Sequence, residues 1–164
     1  MKLVRLLLFP FSILYGFGVI LRNLAYDFGI FKSHKFELPV ISVGNLSVGG
    51  SGKSPMTEYL VRLLKDKYKI ATLSRGYGRK TSGFLYVDTN SLSSESGDEP
   101  LQFKRKFRDI TVAVCENRAE GILRLEQDHE LIILDDAFQH RVVKPGLSIL
   151  LLEYGTLFKQ QWLL

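Results

Sequence analysis

Val40-Ile-Ser-Val-Gly44 runs directly into Asn45-Leu-Ser-Val-Gly-Gly-Ser-Gly-Lys53-Ser54-Pro55, and a helical pattern follows. A β-rich run, a glycine-rich loop, Gly-Lys-Ser and a helix together make a phosphate-binding loop. Gly49, Gly50 and Gly52 permit the backbone angles that turn successive N–H groups inward onto phosphate oxygens. The cradle comprises Ser47, Val48, Gly49, Gly50, Ser51, Gly52, Lys53 and Ser54, backed by the partial positive charge of a helix N-terminus. Lys53 supplies a point charge for β- and γ-phosphates, and the Ser54 hydroxyl is of the kind that ligates Mg²⁺. Pro55 suits the first turn, where its missing N–H goes unbonded in any case. Ser47 departs from the usual pattern, which places glycine there.

Outward from this loop the chain alternates apolar runs with helical patterns. The runs are Val40–Val43, Ile70–Leu73, Phe84–Val87, Thr111–Cys115, Leu131–Leu134 and Leu147–Leu152; helices are expected over about 55–67, 99–107 and 117–127. Nearly unbroken Val/Ile/Leu predicts strands covered on both faces, and the alternation predicts βαβ units. The expected fold is α/β, a P-loop NTPase-like parallel sheet flanked by helices. Ser91–Gly97 is expected to be a polar loop.

Several residues then fall at the ligand edge of such a sheet. Leu131-Ile-Ile-Leu-Asp135-Asp136 ends an apolar strand in two carboxylates, the position that completes Mg²⁺ coordination beside a phosphate loop. A strand-end turn is the alternative, and either acid could approach the metal. Gly97-Asp98-Glu99-Pro100 reads equally as a helix start with first-turn acids or as a general base that orients an acceptor hydroxyl. Arg75 and Arg79, in Ser74-Arg-Gly-Tyr-Gly-Arg79, could bind anionic groups of substrate or nucleotide, or form a solvated basic loop. His34, His129 and His140 show no metal-ligand spacing, and of the three only His140, just after the paired acids, is a site candidate. Lys104-Arg105-Lys106 with Arg108 reads as a solvated helix end, with anionic lipid contact as the alternative, and Cys115 as a buried strand residue.

The chain has 164 residues, 46% of them hydrophobic and 24% charged, so it can fill a core. One cysteine excludes an internal disulfide framework and fits a reducing compartment. The net charge is +5, of which residues 1–36 hold +4 and residues 37–164 only +1. A nearly neutral body argues against a broad nucleic-acid-binding face. The excess flanks Leu6–Leu21, LLLFPFSILYGFGVIL, 16 uncharged residues between Arg5 and Arg22. As a helix this run reaches about 24 Å, short of a roughly 30 Å hydrocarbon core. The expectation is a membrane-embedded or membrane-dipping anchor, with an irregular core helix as the alternative; a cleaved signal peptide is disfavoured by the absence of a small-x-small site. The expected organisation is therefore an anchor and linker over 1–36 and a nucleotide-binding domain over 37–164. The apolar end, FKQQWLL, suggests that a C-terminal part is missing.

Four ordered motifs resemble those of the tetraacyldisaccharide 4′-kinase family, the lipid A kinases of Gram-negative bacteria: Leu38–Pro55, Leu73–Arg79, Gly97–Pro100 and Leu134–His140. The hydrophobic lead with Leu21–Ile30 is similar to that family's N-terminus. A hydroxyl residue is usual there at the place of Ser47, while Ala137 replaces a common glycine. The resemblance implies transfer of the ATP γ-phosphate to the 4′-hydroxyl of a tetraacylated disaccharide 1-phosphate, in lipid A biosynthesis. It implies Asp98 as catalytic acid/base, with Glu99 and Asp135–Asp136 near Mg²⁺, and a chain held at the cytoplasmic face of the inner membrane. It also implies a histidine partner for Asp98 in a longer chain, so catalysis by these residues alone is expected to be poor. A rival from another class is a membrane-anchored nucleotide switch or scaffold, which needs no base aimed at an acceptor hydroxyl; a soluble small-molecule kinase is a third.

Overall fold

The computed structural model describes residues 2–45, 52–138 and 140–152, with side chains from Ile13 onward. The chain divides into two compact units, an N-terminal one reaching Ser33 and a second spanning His34–Leu152.

The first unit carries helix α1, Lys2–Asp27, longer at both ends than the apolar run. Charges bound the run but do not end a helix; Gly29, at φ +73°, does. Its N–H reaches the carbonyl of Tyr26 at 3.1 Å, and Phe28 bonds back to Leu24 at 2.8 Å. Leu14, Tyr15, Phe17 and Phe28 are all exposed. No helix among the described residues is long and apolar enough to cross a membrane.

In the second unit the elements follow as β1 (Val40–Asn45), α2 (Lys53–Leu64), β2 (Ile70–Ser74), β3 (Leu85–Tyr86), α3 (Ser93–Ser96), α4 (Asp98–Lys106), β4 (Thr111–Val114), α5 (Arg118–Leu125), β5 (Leu131–Asp135) and β6 (Leu147–Leu151). The strands form one sheet in the order β3-β4-β2-β5-β1-β6. All pairs are parallel except β3 with β4, a two-residue antiparallel edge that departs from the expected all-parallel arrangement. α3 also departs from expectation, lying within the stretch read as a polar loop. The Glu95 carboxylate accepts from the Leu92 N–H at 3.2 Å and closes that turn.

Side chains of period two sort into two cores. Ile41, Val43, Ile70, Leu131 and Ile133 face Leu60 and Val61 of α2 and Leu101 and Phe103 of α4. Val40, Ala71, Leu73, Ile132 and Leu134 face Ile122 and Leu125 of α5, with Cys115 buried among them. Gly121 lets α5 approach closely: a Cβ there would lie 2.7 Å from Leu73 Cδ2. Covered on both faces, the central strands leave only their ends to solvent. The C-terminal ends of β1, β2, β4 and β5 share one edge, and the candidate residues lie along it.

Candidate active site

Residues 46–51 lie outside the described residues, and with them the expectations for Ser47, Val48, Gly49, Gly50 and Ser51. Gly52 closes the loop at φ +84°, a conformation that only glycine takes without strain, and its carbonyl accepts the Met56 N–H at 3.1 Å. Lys53 and Ser54 therefore open α2, where the amides have no intrahelical partner.

Three side-chain contacts join this helix start to the rest of the edge. Lys53 Nζ donates to Asn45 Oδ1 at 3.0 Å and lies 3.5 Å from Asp136 Oδ1. Ser54 Oγ donates to Glu99 Oε1, bringing the start of α4 onto the start of α2. Thr57 Oγ1 donates to Asp135 Oδ1 at 3.1 Å. Lys53, Ser54, Glu99, Asp135 and Asp136 are thus brought together, and Asp98 is exposed beside Glu99 in the first turn of α4. Burial pushes the Asp135 carboxyl up to about 6, and the Glu99 carboxylate adds to the rise; the bond from Thr57 opposes it. A raised pKa marks a carboxylate that gains from a nearby cation. Among the described residues no three His, Cys, Asp or Glu side chains could hold a metal ion by themselves. The donor set nevertheless fits Mg²⁺, which takes one or two carboxylates and fills the remaining positions with hydroxyl, phosphate and water oxygens.

The strand-end loop after β5 is held tightly. Asp136 sits in the left-handed region at φ +52°, unusual outside glycine, and the Ala137 N–H reaches back to the Val43 carbonyl at 3.3 Å. Gly44 makes room for that return, since a Cβ on it would lie 2.5 Å from Phe138 Cβ and 2.9 Å from the Phe138 nitrogen. Gly44→Ala is therefore expected to cost about 1–3 kcal/mol, read from the denaturation midpoint, and to weaken nucleotide binding by displacing Asp136. Unchanged binding with unchanged stability would show that the loop shifts freely. His140 closes the same loop, its N–H bonding to the Ala137 carbonyl at 2.9 Å.

The two loop arginines separate. Arg75 is exposed at the edge. Arg79 is 2% exposed along its side chain and pairs with Glu116 at 2.5 Å while donating to the Gly83 carbonyl at 2.6 Å. Glu116 returns a bond from the Gly83 N–H at 2.9 Å, so Arg79 clasps the loop that presents Arg75. Sequence reading missed Arg118, which is 3% exposed and donates to the carbonyls of Cys115 and Glu116. Burial, then the charge of Arg75, holds its guanidinium down to about 10. Asn45 and Thr57 were missed as well, and only the buried face of α2 hinted at the second.

The remaining candidates serve the fold. Lys104 caps carbonyls of Arg108 and Ile110, Arg105 bonds the Thr89 carbonyl, and Lys106 pairs with Glu58 at 2.5 Å. His129 bridges the Leu125 carbonyl and Thr111 Oγ1, each at 2.8 Å. Burial raises the Cys115 thiol, as befits a core residue.

Residues 4–164 match the family model described as tetraacyldisaccharide-1-P 4′-kinase. The tetraacyldisaccharide 4′-kinase of Flavobacterium psychrophilum is 56% identical over 167 residues, covering 100% of this chain and 49% of that protein. Its counterpart in Parabacteroides distasonis is 53% identical, covering 96% of this chain and 44% of that one. A crystal structure of LpxK from Aquifex aeolicus in complex with ATP superposes with a TM-score of 0.85 at 44% identity, covering 94% of this chain and 50% of that chain. The chain thus spans about half the length of the curated relatives it matches.

Proposed function

From its membership of the tetraacyldisaccharide-1-P 4′-kinase family, to which this chain belongs, we propose that it is the nucleotide-binding part of a lipid kinase that uses ATP and Mg²⁺. The acceptor is the 4′-hydroxyl of a tetraacylated disaccharide 1-phosphate, and the product is the bisphosphorylated lipid A precursor. One observation carries the reading: Lys53 beside Asp136, Ser54 on Glu99, and Asp135 held by Thr57 converge on one sheet edge. Mg-ATP supplies the phosphoryl group.

Each residue then has a task. Lys53, bonded to Asn45 and Asp136, places an ammonium where phosphate charge would accumulate. Ser54, Glu99, Asp135 and Asp136 offer the hard oxygen donors that Mg²⁺ prefers. Asp98, exposed next to Glu99, accepts the proton of the 4′-hydroxyl as its oxygen bonds to phosphorus and the bond to the leaving diphosphate breaks. Arg75, with Arg79 holding the loop and Arg118 behind it, gives the edge positive charge for the sugar's anionic groups, and His140 offers a ring for hydrogen bonding to the same substrate. Residues 1–36 serve as a membrane anchor and linker: Ile13, Leu14, Tyr15, Phe17, Ile20 and Leu21 of α1 are exposed, and basic residues flank the apolar run in sequence. The anchor keeps residues 37–164 at the cytoplasmic face of the inner membrane, where an acylated sugar can be reached without leaving the bilayer.

Asp98→Asn in the complete protein tests the reading. Lipid phosphorylation is expected to fall by about 10²- to 10⁴-fold with ATP affinity unchanged. Retained transfer would remove Asp98 as the base and favour a nucleotide-controlled switch.

A further inference from the structure

Helix α2 carries two hydroxyls toward the sheet edge, and they have different partners. Ser54, next to the phosphate-loop lysine, donates to Glu99. Thr57, one helical turn beyond Lys53 on the same face, donates to Asp135. Thr57 is 1% exposed, packed on the face that also buries Leu60 and Val61. A threonine inside a helix ordinarily turns its hydroxyl onto the carbonyl four residues back or out to water. Here the hydroxyl crosses from α2 to the end of β5. Its β-branched side chain is stiff, so the donor is fixed before any ligand arrives. The acceptor is the acid of the edge that most needs orientation, because a carboxylate at the end of a buried strand has few other groups to hold it.

We propose that Thr57 is a positioning residue of the metal site: its hydroxyl, 3.1 Å from Asp135 Oδ1, fixes that carboxylate so that its second oxygen is offered to a divalent cation. The inference rests on the Mg-nucleotide reading above and deepens it. It explains why the position carries a hydroxyl in an otherwise apolar interface, where valine would fill the same space. Partners that orient a metal-binding carboxylate contribute about 10- to 100-fold to metal affinity.

The test titrates ATP into the full chain, by calorimetry, at a series of Mg²⁺ concentrations and again in EDTA. Unsubstituted protein, Thr57→Val and Thr57→Ser are compared, with thermal melts of each. Thr57→Val is expected to raise the Mg²⁺ concentration for half-maximal ATP binding at least tenfold while leaving binding in EDTA unchanged. Thr57→Ser, which keeps the hydroxyl, is expected to restore the Mg²⁺ dependence to within about twofold. An unchanged Mg²⁺ dependence in Thr57→Val overturns the proposal. So does an equal loss of binding with and without Mg²⁺, which would make Thr57 a packing residue. If Thr57→Val does not fold, Thr57→Ala gives the same readout, and failure of both to fold also overturns the assignment. Absence of Mg²⁺-dependent ATP binding in the unsubstituted chain would instead sink the nucleotide reading itself.

Discussion

Lys53→Ala is expected to lower phosphoryl transfer by the complete protein about 10²- to 10³-fold and to weaken Mg-ATP binding in parallel. The lysine is a side-chain cation set against the acids of the sheet edge, bonded to Asn45 at 3.0 Å and 3.5 Å from Asp136. Its loss removes charge from the place where the transferred group becomes most negative. The fold should hardly notice. Asp136 is 66% exposed, and ion pairs with so open a partner contribute about 0–1 kcal/mol. A normal melting temperature with lost binding would therefore locate the defect in the site. Unimpaired binding and turnover would withdraw Lys53 from it.

Asp135→Asn is expected to stabilise the metal-free protein while disabling it. The carboxyl titrates near 6 in the folded chain against 3.8 in the unfolded one, chiefly because it is buried. A raised acid pKa means that the native state binds the proton more tightly than the unfolded state does. Its contribution to stability is therefore intact below pH 4, declines between about 4 and 6, and stays low above 6. Asparagine has nothing to ionise. The variant should match the natural chain near pH 4 and exceed it at pH 7–8 by roughly 1–3 kcal/mol, the full linkage value being reduced because the strand end is partly wetted. Denaturant midpoints against pH, in EDTA, provide the measurement. Mg²⁺-dependent ATP binding by the same variant should fall at least tenfold. A variant no more stable than its parent above pH 6 would show that the buried charge is already compensated.

The sheet was largely legible because its strands are unbroken aliphatic runs, a composition that suits only a chain covered on both faces. Lys53, Ser54 and Asp135 were legible because a glycine-rich turn and a strand-end acid keep their neighbours close in sequence. What depended on register was not legible. Thr57 meets Asp135 because β1 lies beside β5, and Arg79 meets Glu116 because β2 lies beside β4. Arg79 therefore read as free to bind an anion, whereas the structure spends it on Glu116 and Gly83. The Gly97–Pro100 acids were ambiguous for the same reason, since only tertiary packing sets Glu99 against Ser54. β3 is too short to announce its direction, and α3 hides in a serine-rich stretch whose composition favours turns.

The strand that leads into the phosphate loop has an uncommon place in the order of assembly. β1 is the first strand to be synthesised, yet its neighbours in the sheet are β5 and β6, the last two. β2, β4 and β5 can pair as each emerges, but β1 has no lateral partner until nearly all the described chain exists. Distant pairings of this kind are slow to form, because the intervening loop must be ordered first. Among the described strands, β1 and the Asn45 at its end are thus the last to gain neighbours on both sides.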